Sequence, residues 1–274
     1  MSLGVIIKAP EGVVLAAESR VTLTAKDSNG ATIHVNFDNA TKLLSFSEPY
    51  NDIGVITFGQ AAIGFRTAQT FIPEFETKLP PVTGTQRKRT LTVLQFAEQL
   101  STFFLQQWAL VMPPAASYPG QDMTFNVSGF DDNEPYGKIY AFNIPRAPQP
   151  IEQIPPVNNQ PQFGINWGGQ REIVDRLVLG YDSRIFELLI ARGIIQQDQI
   201  ANVAPILQPL QLSMPIQFMP LQDCVNLATL FIRTTINAQN LSVGLRGCGG
   251  VIDVAIIKRN EPLRFIQKKE ITVQ

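Results

Sequence analysis

Apolar residues change their period in blocks along the chain. GVIIKAP (4–10) and GVVLAAES (12–19), then KLLSFS (42–47) and IGVITFG (53–59), are short apolar or β-branched runs broken by Pro-Glu-Gly and by the turn-rich EPYND. They predict two strand pairs within the first 60 residues. Beyond Gln60 the period becomes helical: in TVLQFAEQLSTFFLQQW, Val93, Ala97, Leu100, Phe104 and Trp108 form one stripe at three- and four-residue steps. MTFNVSGFD (123–131) and GKIYAFNIP (137–145) predict another strand pair, and REIVDRLVL and SRIFELLIARG predict helices. Cys224, Ala228, Phe231 and Thr235 mark a further helix face, before VIDVAIIKR and LRFIQKKEITV close the chain as strands.

Sheet blocks therefore flank helix blocks, rather than alternating with them one by one as a parallel sheet requires. The expected fold is α+β, a four-layer αββα sandwich of two stacked antiparallel sheets with helices on both outer faces. Val14 and Val254, Val55 and Val127 should lie in those sheets, with Phe96 and Phe231 on opposite outer helices. A central strand covered on both sides reads as a continuous apolar run, which accounts for Val13 to Ala17. It does not account for Glu18, Ser19 and Arg20, where that run meets opposite charges. Residues 1–274 are expected to form one domain, with surface insertions near 144–162 and 205–220, because neither half of the chain is complete alone.

Composition narrows the partners. With Lys+Arg 22 against Asp+Glu 23, the net charge of −1 removes the basic footprint of a protein that grips nucleic acid or anionic membrane. The 2 cysteines, Cys224 and Cys248, cannot build a disulfide framework, and with the single His34 they lack zinc-site spacing. No metal and no cofactor is expected. The start carries no basic n-region followed by an apolar h-region, and no stretch is long and uncharged enough to cross a bilayer, so a cytoplasmic location is expected.

GVVLAAESR is similar to the GVVLAADSR signature near the start of proteasome β-type subunits, within the N-terminal nucleophile hydrolases. Lys42 in TKLLSF stands like that family's active-site lysine, and FGQAAIG (58–64) resembles its Gly-x-Ala-Ala turn into the first long helix. VSGFD and GGVIDVAII extend the resemblance over most of the chain.

The resemblance implies a peptide hydrolase in which one N-terminal residue is both nucleophile and base, its hydroxyl attacking the carbonyl while its α-amine, of ordinary pKa about 8, takes the proton. Counting back from the signature places this residue at Ser2, exposed by removal of Met1. Glu18 and Lys42 take the acid and lysine roles, and the Gly59 amide points at the developing oxyanion. The implied substrate is a peptide or unfolded protein, the implied assembly a homo-oligomeric ring, and a regulatory ATPase belongs among the implied partners. The pattern departs in two places: Gly168 stands where the family has a serine, and Leu245, Arg246, Gly247 and Cys248 replace the stretch holding an aspartate before Gly249.

Two function classes remain open from sequence. One is a serine- or threonine-type N-terminal hydrolase; the other is a catalytically inactive relative with a structural or partner-binding role in a ring. The plainer expectations are a structural ion pair at Glu18, a buried inert thiol at Cys248, a solvated His34, an exposed loop at 86–90, and packing glycines at 168 and 169.

Overall fold

The structure is a computed structural model that describes residues 2–80, 89–244 and 246–271. Met1, Leu245 and the first part of the basic run 86–90 lie outside the described residues.

The chain opens with strands β1 (Leu3–Ala9) and β2 (Gly12–Ala17), a projecting ribbon β3 (Val21–Lys26) and β4 (Thr32–Phe37), then β5 (Leu43–Ser45) and β6 (Gly54–Gly59). A small pair, β7 (Ala62–Ile63) and β8 (Arg66–Thr67), leads into helices α1 (Ala68–Glu76) and α2 (Val93–Val111). Next come β9 (Met123–Gly129), β10 (Lys138–Ile144), β11 (Ala147–Gln153) and β12 (Gly164–Gly169). Helices α3 (Glu172–Val178), α4 (Ile185–Ala191), α5 (Ile200–Leu207) and α6 (Leu221–Leu241) precede β13 (Asp253–Ile257) and β14 (Arg264–Gln267).

Two five-stranded antiparallel sheets result, ordered β12-β1-β2-β13-β14 and β11-β10-β9-β6-β5. Alternation along each strand divides its side chains between two cores. In β2, Val14 and Ala16 pack with Phe231 and Ile232 of α6, whereas Val13, Leu15 and Ala17 meet Leu43 and Ile56 between the sheets. In the second sheet, Val55, Phe125 and Val127 pack under Phe96, Leu100 and Phe104 of α2. These are the four layers expected from the block order, with Val14 and Val254 in one sheet and Val55 and Val127 in the other. Helix α2 begins on a capping box, Thr92 with Gln95, which satisfies two amide donors reciprocally at its start.

Two features depart from the sequence pattern as read. The sequence pattern above assigns no strands to residues 21–37, yet VTLTAK and TIHVNF pair as β3 and β4. Their turn is set by Asp27, whose Oδ1 accepts the amides of Asn29 and Ala31, and by Gly30 at φ +80°. The stretch 144–162 is not wholly an excursion, since β11 forms the edge of the second sheet. An edge strand tolerates Pro148 and Pro150 because their missing N–H groups need no ladder partner on the open side.

Candidate functional site

The run into Glu18 delivers a carboxylate into the interior. Its side chain is wholly buried, and the backbone converges on it. Oε1 accepts the Leu3 amide at 3.2 Å, while Oε2 accepts the amides of Arg20 at 2.7 Å and Gly249 at 3.0 Å. The Lys42 ammonium donates to Glu18 Oε1 and to the Arg20 carbonyl. Three N–H donors and one cation satisfy a buried carboxylate that would otherwise be costly to desolvate. Burial holds the Lys42 ammonium below its ordinary pKa, against the opposing field of Glu18.

Ser2 is buried at the head of β1, and its carbonyl accepts the Gln170 amide at 2.7 Å. Gly169, at φ +94°, lets the backbone pass so close to Ser2 that a β-carbon there would collide with the Ser2 carbonyl. Gly59 is held in a similar way, at φ +85° against the Asp122 carbonyl, which also accepts the Gln60 amide at 3.0 Å. Ser2, Lys42, Thr57, Phe58 and Gly59 line one cavity of about 20 Å³, room for roughly one water molecule. All four expected site residues are therefore neighbours, Glu18 reaching the cavity through Lys42. Among the described residues, no hydrogen bond joins Lys42 to the Ser2 hydroxyl.

Several participants were missed from sequence. Arg20 forms a forked pair with Asp38, Nε to Oδ1 at 2.5 Å and Nη2 to Oδ2 at 2.7 Å. Its Nη1 also donates to the carbonyls of Arg246 at 3.2 Å and Cys248 at 3.5 Å. It thereby clamps the loop that brings the Gly249 amide to Glu18. Gln239 of α6 holds the same loop, accepting the Cys248 amide at 2.9 Å. Asp38 follows β4 and gave no local signal, because its partner is set by how the ribbon returns to its root. The Cys248 thiol is buried, and burial raises its pKa above the ordinary range. Phe58 fills the space beside Gly168. His34 is exposed on β4, with Nδ1 3.1 Å from Thr24 Oγ1.

Among the described residues, no group of three His, Cys, Asp or Glu side chains comes together as metal ligands, and no helix is long and apolar enough to cross a membrane.

Two stacked antiparallel sheets thus lie between helical layers, with the chain start and a lysine–carboxylate pair at one end of the sandwich. Among solved structures, the matching folds include two Anbu proteins. A mutant Anbu from Hyphomicrobium sp. strain MC1 matches over 98% of this chain and 86% of its own, with a TM-score of 0.54 and 13% identity. Anbu from Pseudomonas aeruginosa, solved as a helical assembly, matches over 98% of this chain and 88% of its own, with a TM-score of 0.57 and 14% identity. No family model matches the sequence, and no curated protein does either.

These findings correct the resemblance to proteasome β-type subunits, since the structural likeness is to Anbu. The physical reason lies in what GVVLAAESR encodes. A strand covered on both faces follows from stacking two sheets between helical layers, so its apolar run does not single out one family built on that arrangement.

Proposed function

We propose that this chain is a hydrolase of peptide bonds that uses the residue at the head of β1 as an N-terminal nucleophile, assembled with further copies of itself. The observation that carries the proposal is the buried pairing of Lys42 with Glu18 beside a cavity lined by Ser2 and Gly59.

With Met1 removed, the Ser2 α-amine takes the hydroxyl proton as Oγ attacks the substrate carbonyl. The Lys42 ammonium, kept paired by Glu18, favours the developing alkoxide, and the Gly59 amide faces the oxyanion of the tetrahedral intermediate. Collapse breaks the C–N bond, the α-ammonium protonates the leaving amine, and water then hydrolyses the acyl-serine ester. Peptides or unfolded protein segments fit as substrates because the mechanism needs only an accessible amide. A reducing cytoplasmic setting suits two buried, unpaired thiols. Self-association is supported by the helical assembly of the Anbu from Pseudomonas aeruginosa, which shares this fold.

A second reading, an inactive relative with a structural role, is favoured by one specific observation. Phe58 occupies the space of a side chain at 168, and the cavity of about 20 Å³ holds no peptide without rearrangement.

The test begins with protein made from the unmodified reading frame and mass measurement of its N-terminus. A free Ser2, hydrolysis of a fluorogenic peptide, and loss of that hydrolysis in Lys42→Ala with the fold retained are expected. A correctly exposed Ser2 with no detectable hydrolysis over a broad peptide set leaves the inactive reading.

A further inference from the structure

Two apolar surfaces of this chain lie uncovered, and they differ in kind. The first is one face of the β3–β4 ribbon. The register pairs Val21 with Phe37, Leu23 with Val35 and Ala25 with Ile33, so these six side chains share a face, and the opposite face carries Thr22, Thr24, His34 and Asn36. The apolar face holds no charge, yet Leu23 is 48% and Phe37 56% exposed. A two-stranded ribbon is only marginally stable by itself in water.

The second surface is the helical excursion that runs through α4 and α5. It leaves after Gly180 and returns at Leu212, whose amide donates to the Val178 carbonyl at 2.9 Å. No residue of α4 or α5 is buried, although their sequences are IFELLIA and IANVAPIL. Leu188 is 64% and Ile206 73% exposed, with Ile194, Leu210 and Leu212 also outside.

We infer that the apolar face of the β3–β4 ribbon packs on the α4–α5 excursion of a second copy of this chain, a head-to-tail contact that can propagate. The inference rests on the proposed self-association and names its surfaces.

Area and charge favour this occupant. At roughly 100 Å² of apolar area per buried aliphatic side chain, the two surfaces together leave on the order of 600 Å² in water. One surface comes from each copy, so this is the apolar area of a whole contact; at the usual apolar share of about 57% it corresponds to an interface of roughly 1,050 Å² in total, just above the ~1,000 Å² that a specific contact needs. Each surface is nearly uncharged: Glu187, Arg192 and Asp198 are the charged residues between Ile185 and Leu212, and the ribbon face has none. Neither demands a charged partner, so each suits the other. The two sit on separate segments of one chain, so pairing them across copies is heterologous and leaves a free end at each side. The ribbon's root adds a consequence for the site. Val21, Ala40 and Thr41 line the cavity beside Lys42, so a copy seated on the ribbon steadies the cavity's rim.

Light scattering after size-exclusion chromatography, at micromolar concentration, tests the contact on the full chain. The expected results are a wild type larger than a dimer, monomers for both Val35→Glu and Ile206→Glu, and dimers when the two variants are mixed in equal amounts. Each variant in the mixture keeps the surface that the other has lost, so one contact forms and cannot extend. Circular dichroism and melting confirm that each variant is folded, and Leu23→Ser and Leu188→Ser give the same readout if a glutamate variant is not. A wild type that assembles while either variant assembles equally well overturns the contact and leaves self-association standing. So does a mixture that stays monomeric, or a single variant that still dimerises. A monomeric wild type overturns both.

Discussion

The ring of Phe58 lies against Gly168, filling the volume that any side chain at position 168 would occupy. Gly168 belongs to edge strand β12, opposite Gly4 of β1, where the ring of Phe58 also approaches. The glycine in WGGQREIV is therefore a packing partner of an aromatic residue. Gly168→Ser should force the ring aside and cost about 1 to 3 kcal/mol, the ordinary range for overpacking. Phe58→Ala should relieve that cost, so the double variant is less destabilised than the sum of the singles. Urea unfolding of all four proteins gives the coupling, and strictly additive losses are incompatible with this packing.

Glu18 and Lys42 should respond unequally to removal. Lys42→Met leaves the Glu18 carboxylate with the amides of Leu3, Arg20 and Gly249, whereas Glu18→Leu orphans those three donors and leaves the buried ammonium with the Arg20 carbonyl but no counter-charge. Breaking a buried pair costs about 3 to 5 kcal/mol. Lys42→Met should fall at the lower end of that range and Glu18→Leu at or beyond the upper end. Chemical denaturation distinguishes them, and equal losses count against the amide cradle.

Alkaline pH supplies a separate check through the thiols. Burial pushes the Cys224 thiol up to about 11 from its ordinary 9.0. Its folded pKa is raised, so its contribution to stability is complete below pH 9 and is lost as pH rises toward 11, because the unfolded chain ionises first. The buried Cys248 thiol acts in the same direction. Lys42 acts oppositely. Its folded pKa is lowered by burial, so the unfolded chain binds more protons below 10.5 and stability gains as pH rises through that window. Cys224→Ala should flatten the alkaline fall, and Lys42→Met should steepen it. Melting temperatures between pH 8 and 11 read both, and identical slopes in all three proteins refute the assignment.

Most of the layered architecture was legible because burial on two faces leaves a direct trace in sequence. VVLAA in β2 and VAII in β13 are uniformly apolar, while α2 and α6 show single stripes. Glu18 drew notice because its charge ends an apolar run, whereas Lys42 and Gly59 stood out only through the resemblance; the structure sets Lys42 against Glu18 and lines one cavity with Lys42 and Gly59. The ribbon escaped notice because its alternating Thr and apolar residues have no covering layer within the chain. Asp38, Phe58 and the Gly249 amide carried no signal, because each acquires its role from a partner far away in sequence. Gly168 was a visible departure from the resemblance, but the ring that requires it became apparent only in three dimensions.

The forked pair of Arg20 with Asp38 offers the last prediction, since it links the ribbon's root to the candidate site. Arg20 sits between the charged carboxylate of Asp38 and the carbonyls of Arg246 and Cys248, and its guanidinium packs where a β-carbon at Gly249 would fall. The same residue's backbone binds Glu18 through N–H and Lys42 through its carbonyl. A planar fork can serve two sets of acceptors at once, and a lysine at position 20 cannot. Arg20→Lys and Asp38→Asn should therefore loosen the 246–250 loop without emptying either core. The Gly249 amide, donated at 3.0 Å to Glu18, is the reporter. Its hydrogen exchange should accelerate in both variants, while amides in β2 and β9 keep their wild-type protection. Unchanged exchange at Gly249 in Asp38→Asn shows that Gln239 and the Ser19 amide hold the loop without the fork, and removes Arg20 from the device that positions Glu18.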